Sequence, residues 1–286
     1  MKKIIKISII FTFILSLTGC INKDDMEDIT IYATSYPIEY VANRLYGEKS
    51  TVKSIYPNGV DINEYEITNT LLNTYDDVDL YIFNGLSSEK NYIEPLLKVN
   101  KDLKIIDSTS SLQYNNTVDE LWLDPAKLLT IANNIKQGFN EYTEKKYLIN
   151  QIEENYNSLK IDLTNLDAKY RSAAKKADYK TIVVSSDVFL YLEKYDLEVI
   201  SLDEKSVTQK NITTAKELIN SGKIKYIYIK NGENVNDTIN EVISGTNVKT
   251  IELNTLANLT DDEKSKYDYL SISNQNLESL KEELYK

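Results

Sequence analysis

Apolar positions along this chain switch between two spacings. Residues 29–34 (ITIYAT), 51–56 (TVKSIY), 78–85 (VDLYIFNG) and 103–107 (LKIID) are short β-like runs. Between the first two, Ile38, Val41, Ala42 and Leu45 recur at helical spacing, with Pro37 at the start and Gly47 at the end. A short helix is expected over 68–75. From Asp124, read as N-cap, and Pro125, read as first helical residue, a helical face runs through Leu128, Ile131, Ala132, Ile135, Phe139 and Tyr142. A second face follows at Leu148, Ile152, Tyr156, Leu159, Leu163, Leu166 and Tyr170, and no Pro or Gly interrupts Phe139 to Ser221. One helix over roughly 145–176 would be about 48 Å long. Alternation then resumes, with strands expected at 180–185, 197–202, 224–230 and 248–252, helices at 187–195, 210–221 and 234–243, and a last helix from about 275 to 285. Strands alternating with helices imply parallel sheets of βαβ units. The pattern is therefore α/β: a βα lobe, a long helix, and a second βα lobe.

The N-terminus is of another kind. Lys2, Lys3 and Lys6 precede an apolar run from Ile7 to Leu17, too short for a comfortable membrane span. It ends in Leu17–Thr18–Gly19–Cys20, which resembles the bacterial lipobox, where the cysteine becomes the first mature residue and carries the lipid. Cys20 is the only cysteine, so no disulfide forms within the chain. The charged stretch to residue 28 reads as a tether. The expected division is a lipoprotein signal peptide at 1–19, a tether at 20–28 beginning with lipidated Cys20, an N-terminal lobe at 29–142, a linking helix at 143–176 and a C-terminal lobe at 177–286.

Composition narrows the chemistry. The 286 residues carry a formal net charge of −11, which argues against a nucleic-acid binder. Twenty-two tyrosines against five phenylalanines make tyrosine the default half-buried aromatic. There is no histidine, so the commonest neutral metal ligand and general base is missing. With no cysteine besides Cys20 and no Gly-x-Ser-x-Gly elbow, no catalytic machinery is expected.

Several stretches together resemble the solute-binding lipoproteins of Zn²⁺/Mn²⁺ ABC importers. NGVDINEYE (58–66) is similar to that family's Gly-x-Asp-Pro-His-x-Tyr-Glu loop, and YIFNGLSSE (81–89) to its strand ending in Asn-Gly-Leu. VDELWLDP (118–125) resembles Asp-Pro-His-x-Trp-Leu-Asp-Pro. VVSSDVFLYLEKYDLEVISL, IELNTLA and the last helix match its C-terminal half. The resemblance implies two βα lobes joined by one rigid helix, with metal held in the cleft between them. It also places Asn63, Glu120, Ser186 and Asn254 where the family has its four metal ligands, and Lys230 where many relatives have a nearby glutamate.

Such a set holds one carboxylate, two amides and a hydroxyl. Zn²⁺ prefers imidazole and thiolate, and tight oxygen sites collect several carboxylates. No cofactor is implied beyond a weakly bound divalent cation, or the cleft takes another ligand. Asp61 and Asp187 adjoin two of the positions. The expected protein is a monomeric, lipid-anchored binding protein on the extracytoplasmic face of the cell membrane, working with a metal-type ABC permease and without nucleic acid. The alternative is a lipid-anchored scaffold or partner-binding module with a metal-free cleft closed by a Lys230–Glu120 pair.

Overall fold

The computed structural model describes residues 26–286. Strands β1 (Ile29–Ala33), β2 (Ser50–Ser54), β3 (Leu80–Phe83) and β4 (Lys104–Asp107) form one sheet, and β5 (Thr181–Val184), β6 (Glu198–Ser201), β7 (Tyr226–Lys230) and β8 (Lys249–Leu253) form another. Every pairing is parallel. The orders β2-β1-β3-β4 and β6-β5-β7-β8 are the same topology twice. Strands β3 and β5 are buried at all four positions, which is why they read as unbroken apolar runs. In each sheet the order reverses beside the first strand, and ligand crevices open at the carboxyl ends of strands at such a point.

The lobes are joined by a 31-residue helix, Lys146–Lys176, which follows the helix Pro125–Tyr142. Leu148, Ile152, Leu159, Leu163, Leu166 and Tyr170 are its buried stripe. At 1.5 Å per residue it is about 46 Å long. That stripe belongs to a central apolar cluster which takes in residues of both sheets, Trp122 and Tyr269. Two smaller clusters cover the outer faces of the sheets. Gly138 lets the preceding helix close on β4: a Cβ there would lie 2.6 Å from the Ile106 side chain. Several tyrosines are fully buried rather than half-buried, with hydroxyls donated to backbone carbonyls, as Tyr170 does to Ser273 (2.9 Å) and Tyr228 to Leu280 (3.1 Å).

Some local expectations need correction. Residues 187–195 form a 3-10 helix, which Ser186 caps by accepting from the Val188 amide. The last helix begins at Tyr269, not near 275. Its first turns bury Ser273 and Asn276 beside Ile272, so polar residues on the buried face hide the apolar period. Short helices at Ile93–Val99, Glu120–Leu123 and Asp261–Lys266 had too few turns to show a period. The expected tether meets the body before residue 28: Met26 is 0% exposed, its carbonyl accepts from the Tyr46 hydroxyl, and the Asp28 amide bonds Lys49 O (2.9 Å). The signal segment 1–19 and Cys20 lie outside the described residues. Among the described residues, no helix is long and apolar enough to cross a membrane.

Candidate functional site

The carboxyl ends of both sheets face one another across a cavity of about 560 Å³. Its N-lobe wall is the loop Gly59–Asn63 with Asp119. Its C-lobe wall includes Lys230–Glu233, at the exit of β7, residues of the loop that follows β8, and Glu263 in the short helix after that loop. The Asn58–Gly59 turn gives Gly59 a φ of +79°, and a Cβ there would sit 3.0 Å from Thr260 on the opposite wall. Glycine thus permits the close approach of the lobes at this edge.

The four positions expected to hold cargo stand in different local surroundings. Of them, Asn63 alone lines this cavity. Its backbone amide bonds the Asp61 carboxylate (2.9 Å) in an Asx turn, and its side-chain amide makes no hydrogen bond among the described residues. Ser186 donates to Asp203 (3.0 Å) while capping its own 3-10 helix. Asn254 donates to Glu263 (3.0 Å) and accepts from the Leu256 amide (2.8 Å). Glu120 is wholly engaged within its own lobe. One oxygen meets Lys127 at 2.5 Å, and the other accepts from the Asn115 and Asn116 amides at 3.0 and 3.3 Å. Burial opposes its charge, but Lys127 and the two amides outweigh that and hold its carboxyl below the usual range. Asp187 lends only a backbone amide to this region, which donates to Asp203 (3.1 Å). Among the described residues, no three acidic, histidine or cysteine side chains are grouped as a metal site.

The expected Lys230–Glu120 pair is therefore corrected. Lys230 stands 3.9 Å from Glu233 of its own lobe. Asp119, the residue next to Glu120, lines the cavity with Lys230, together with Asp61, Glu233 and Glu263. Asp119 is 5% exposed, and among the described residues it makes no ion pair. Burial pushes its carboxyl up to about 6 against the pull of its own backbone amide, with the Asp61 charge adding to the rise and Lys230 opposing it. Sequence reasoning passed over Asp119 because the motif points to the following position, though both acids stand in the same stretch.

The lobes are tied together at the cavity's edge. The Trp122 indole donates to Thr255 O (3.0 Å), the Tyr269 hydroxyl to Trp122 O (2.6 Å), and the Tyr36 amide to Ala257 O (3.1 Å). The Asn258 side chain reaches Pro57 O (2.8 Å) and Val60 O (3.0 Å). Lys264 pairs with Glu39 at 2.6 Å, both mostly buried, and Lys194 bridges Asp124 (2.5 Å) and Asp167 (2.8 Å). Asp124 still serves as the helix cap expected of it, accepting from the Ala126 amide.

Residues 31–283 match the family model described as zinc-uptake complex component A, periplasmic. The chain is 24% identical over 288 residues to the high-affinity zinc uptake system protein ZnuA of Bacillus subtilis, covering 90% of this chain and 88% of that one. It is 23% identical over 314 residues to the manganese ABC transporter substrate-binding lipoprotein PsaA of Streptococcus anginosus, covering all of both. Its fold is similar to that of the Zn(II)-bound ZnuA-like domain of Streptococcus pneumoniae AdcA, with a TM-score of 0.73, 22% identity, and 91% of this chain and 100% of that one covered.

Proposed function

We propose a function for this chain from one established premise: it belongs to the zinc-uptake complex component A family of Zn²⁺/Mn²⁺ ABC-transporter binding proteins. Its named relatives are transport binding proteins rather than enzymes, and so is this chain. We infer that it is a lipid-anchored, extracytoplasmic solute-binding protein, held to the membrane through Cys20 and delivering cargo as a monomer to a permease and ATPase of the metal-importer type. Relatives named as lipoproteins support the anchor.

The finer reading is that the cleft is degenerate, binding Zn²⁺ or Mn²⁺ weakly or taking another ligand. One observation carries it: Glu120, Ser186 and Asn254 already spend their side chains on neighbours, while an ammonium, Lys230, lines the cavity. A divalent cation entering there meets amides, a repelling lysine and carboxylates that do not converge. Titration calorimetry with Zn²⁺, Mn²⁺ and Ca²⁺ on chelator-free protein should find micromolar or weaker binding. One tight site of nanomolar affinity overturns the reading. For the anchor, Cys20→Ala should release the protein from membranes or block its maturation; a variant that stays membrane-bound at its normal processed size refutes it.

A further inference from the structure

The cavity has a sign pattern that a metal ion does not use. On the N-lobe wall stand two carboxylates, Asp61 and Asp119, and on the C-lobe wall one ammonium, Lys230. The C-lobe wall also carries Glu233 and Glu263, but both are committed. Glu233 accepts from the Ser185 hydroxyl (2.6 Å) and the Lys230 amide (3.0 Å) through one oxygen, its other oxygen lies 3.9 Å from the Lys230 ammonium, which a ligand carboxylate would share with it, and Glu263 accepts from Asn254 (3.0 Å) and closes the capping box of Thr260. Asp119 is nine-tenths buried, faces the cavity, and has as partner only its own backbone amide. A largely buried carboxylate with so little compensation gains from a cationic ligand group that replaces its lost hydration. Opposite charges thus face one space from two lobes without touching.

We propose that this cleft binds a small organic zwitterion, an α-amino acid or short peptide, with its ammonium on Asp119 and its carboxylate on Lys230; this rests on the reading of the cleft as the ligand site of a binding protein with a degenerate metal centre. A bare cation gains Asp119 and Asp61 but is repelled by Lys230. A bare anion gains Lys230 but is repelled by the two aspartates. A molecule carrying both charges completes both walls at once. Two amides in the cavity are free to join: among the described residues the Asn63 side chain makes no hydrogen bond, and Asn231 uses its oxygen for the Thr255 amide (3.2 Å) while its nitrogen makes none. The volume, about 560 Å³, lies in the range of small-molecule sites, roughly 300–1,000 Å³. Because one charge comes from each lobe, the ligand would take the linking place between lobes that a metal holds in a closed cleft.

The test is thermal unfolding and calorimetry of the mature chain with each of the common amino acids and a panel of dipeptides at millimolar concentration, the two panels distinguishing the sources. For any hit, the N-acetyl form removes the ammonium and the amide form removes the carboxylate. A saturable stabilisation by at least one zwitterion is expected, weakened at least about tenfold in either blocked form and in Lys230→Met. Asp119→Asn should weaken it similarly. Lys230 is partly exposed, so its variant keeps the test valid if the buried Asp119 variant fails to fold. No response to any zwitterion, or blocked forms binding as well as the parent, overturns the proposal. Zn²⁺ titrated alone reads the underlying premise: a nanomolar Zn²⁺ site overturns both, whereas weak Zn²⁺ with no zwitterion response overturns this inference only.

Discussion

The two lobes carry the same device in different electrostatic settings. In each, the third strand in chain order leaves its sheet toward the cleft, and a glutamate a few residues on accepts the exit amide. Glu89 takes the Asn84 amide just after β3 (2.9 Å), and Glu233 takes the amide of Lys230, the last residue of β7 (3.0 Å). Glu89 is 5% exposed, and burial pushes its carboxyl up to about 7. The Glu233 side chain is 21% exposed, with the Lys230 ammonium and the Ser185 hydroxyl against it. One topology and one hydrogen bond therefore sit in two settings: a carboxyl sealed from water in the first lobe, and one reached by water and a lysine in the second. Water and counter-charge, not strand order, set the difference.

The largest test asks whether the lobes can be compared as separate bodies. Trp122 packs in the shared core and bonds Thr255 across the interface. Trp122→Ala should cost about 3–5 kcal/mol, the range for large aromatics in cores. Urea unfolding should show one transition moved as a whole; two resolved transitions would mean the lobes unfold independently.

Next is the pH dependence of the first lobe. A carboxyl whose folded pKa is raised, here from 4.5 to about 7, binds more protons folded than unfolded between those values. Its stabilising contribution is complete below pH 4.5 and is lost as pH rises through 7. Glu89→Gln removes this slope, so its stability relative to the parent should improve by about 3 kcal/mol from pH 4.5 to pH 8. Equal differences at both pH values would show that Glu89 is ionised throughout.

Placing an acid on the second lobe's cleft wall sharpens the contrast. Lys230→Glu replaces a repelling ammonium with a donor, and Zn²⁺ affinity by calorimetry should rise about tenfold or more, near 1.4 kcal/mol. Unchanged affinity would mean that Lys230 does not face the bound ion. The smallest effect is expected at Glu233→Gln, which keeps its acceptor oxygen but loses the charge. A loss of about 1 kcal/mol is expected by urea unfolding; no loss would show that the Lys230 ammonium and the Ser185 hydroxyl do not hold this side chain.

Much of the fold was legible in the residues. The long helix stands at Lys146–Lys176 because Leu148 to Tyr170 keep an unbroken three-four spacing with nothing to stop it. The strands β3 and β5 read as unbroken apolar runs because both faces of a parallel sheet are covered there. The site was less legible. Glu120 and Asp119 are adjacent, and side chains one residue apart on a helical turn point about 100° from each other. A motif gives the position in the chain, not that direction. Glu120 turned inward because Lys127 lies seven residues on and the Asn115 and Asn116 amides fold back over it.

The sequence by itself determined the alternation of elements, the duplicated parallel sheets, the linking helix and the family, since each depends on local spacing or on motifs carried along the chain. Tertiary structure alone decided that Asp119 rather than Glu120 faces Lys230, that Ser186 and Asn254 are held by Asp203 and Glu263, and that Glu89 is sealed from water while Glu233 is not. Those outcomes depend on which groups arrive from distant segments and how much solvent they leave, because a polar side chain's direction and charge follow its partners and its hydration.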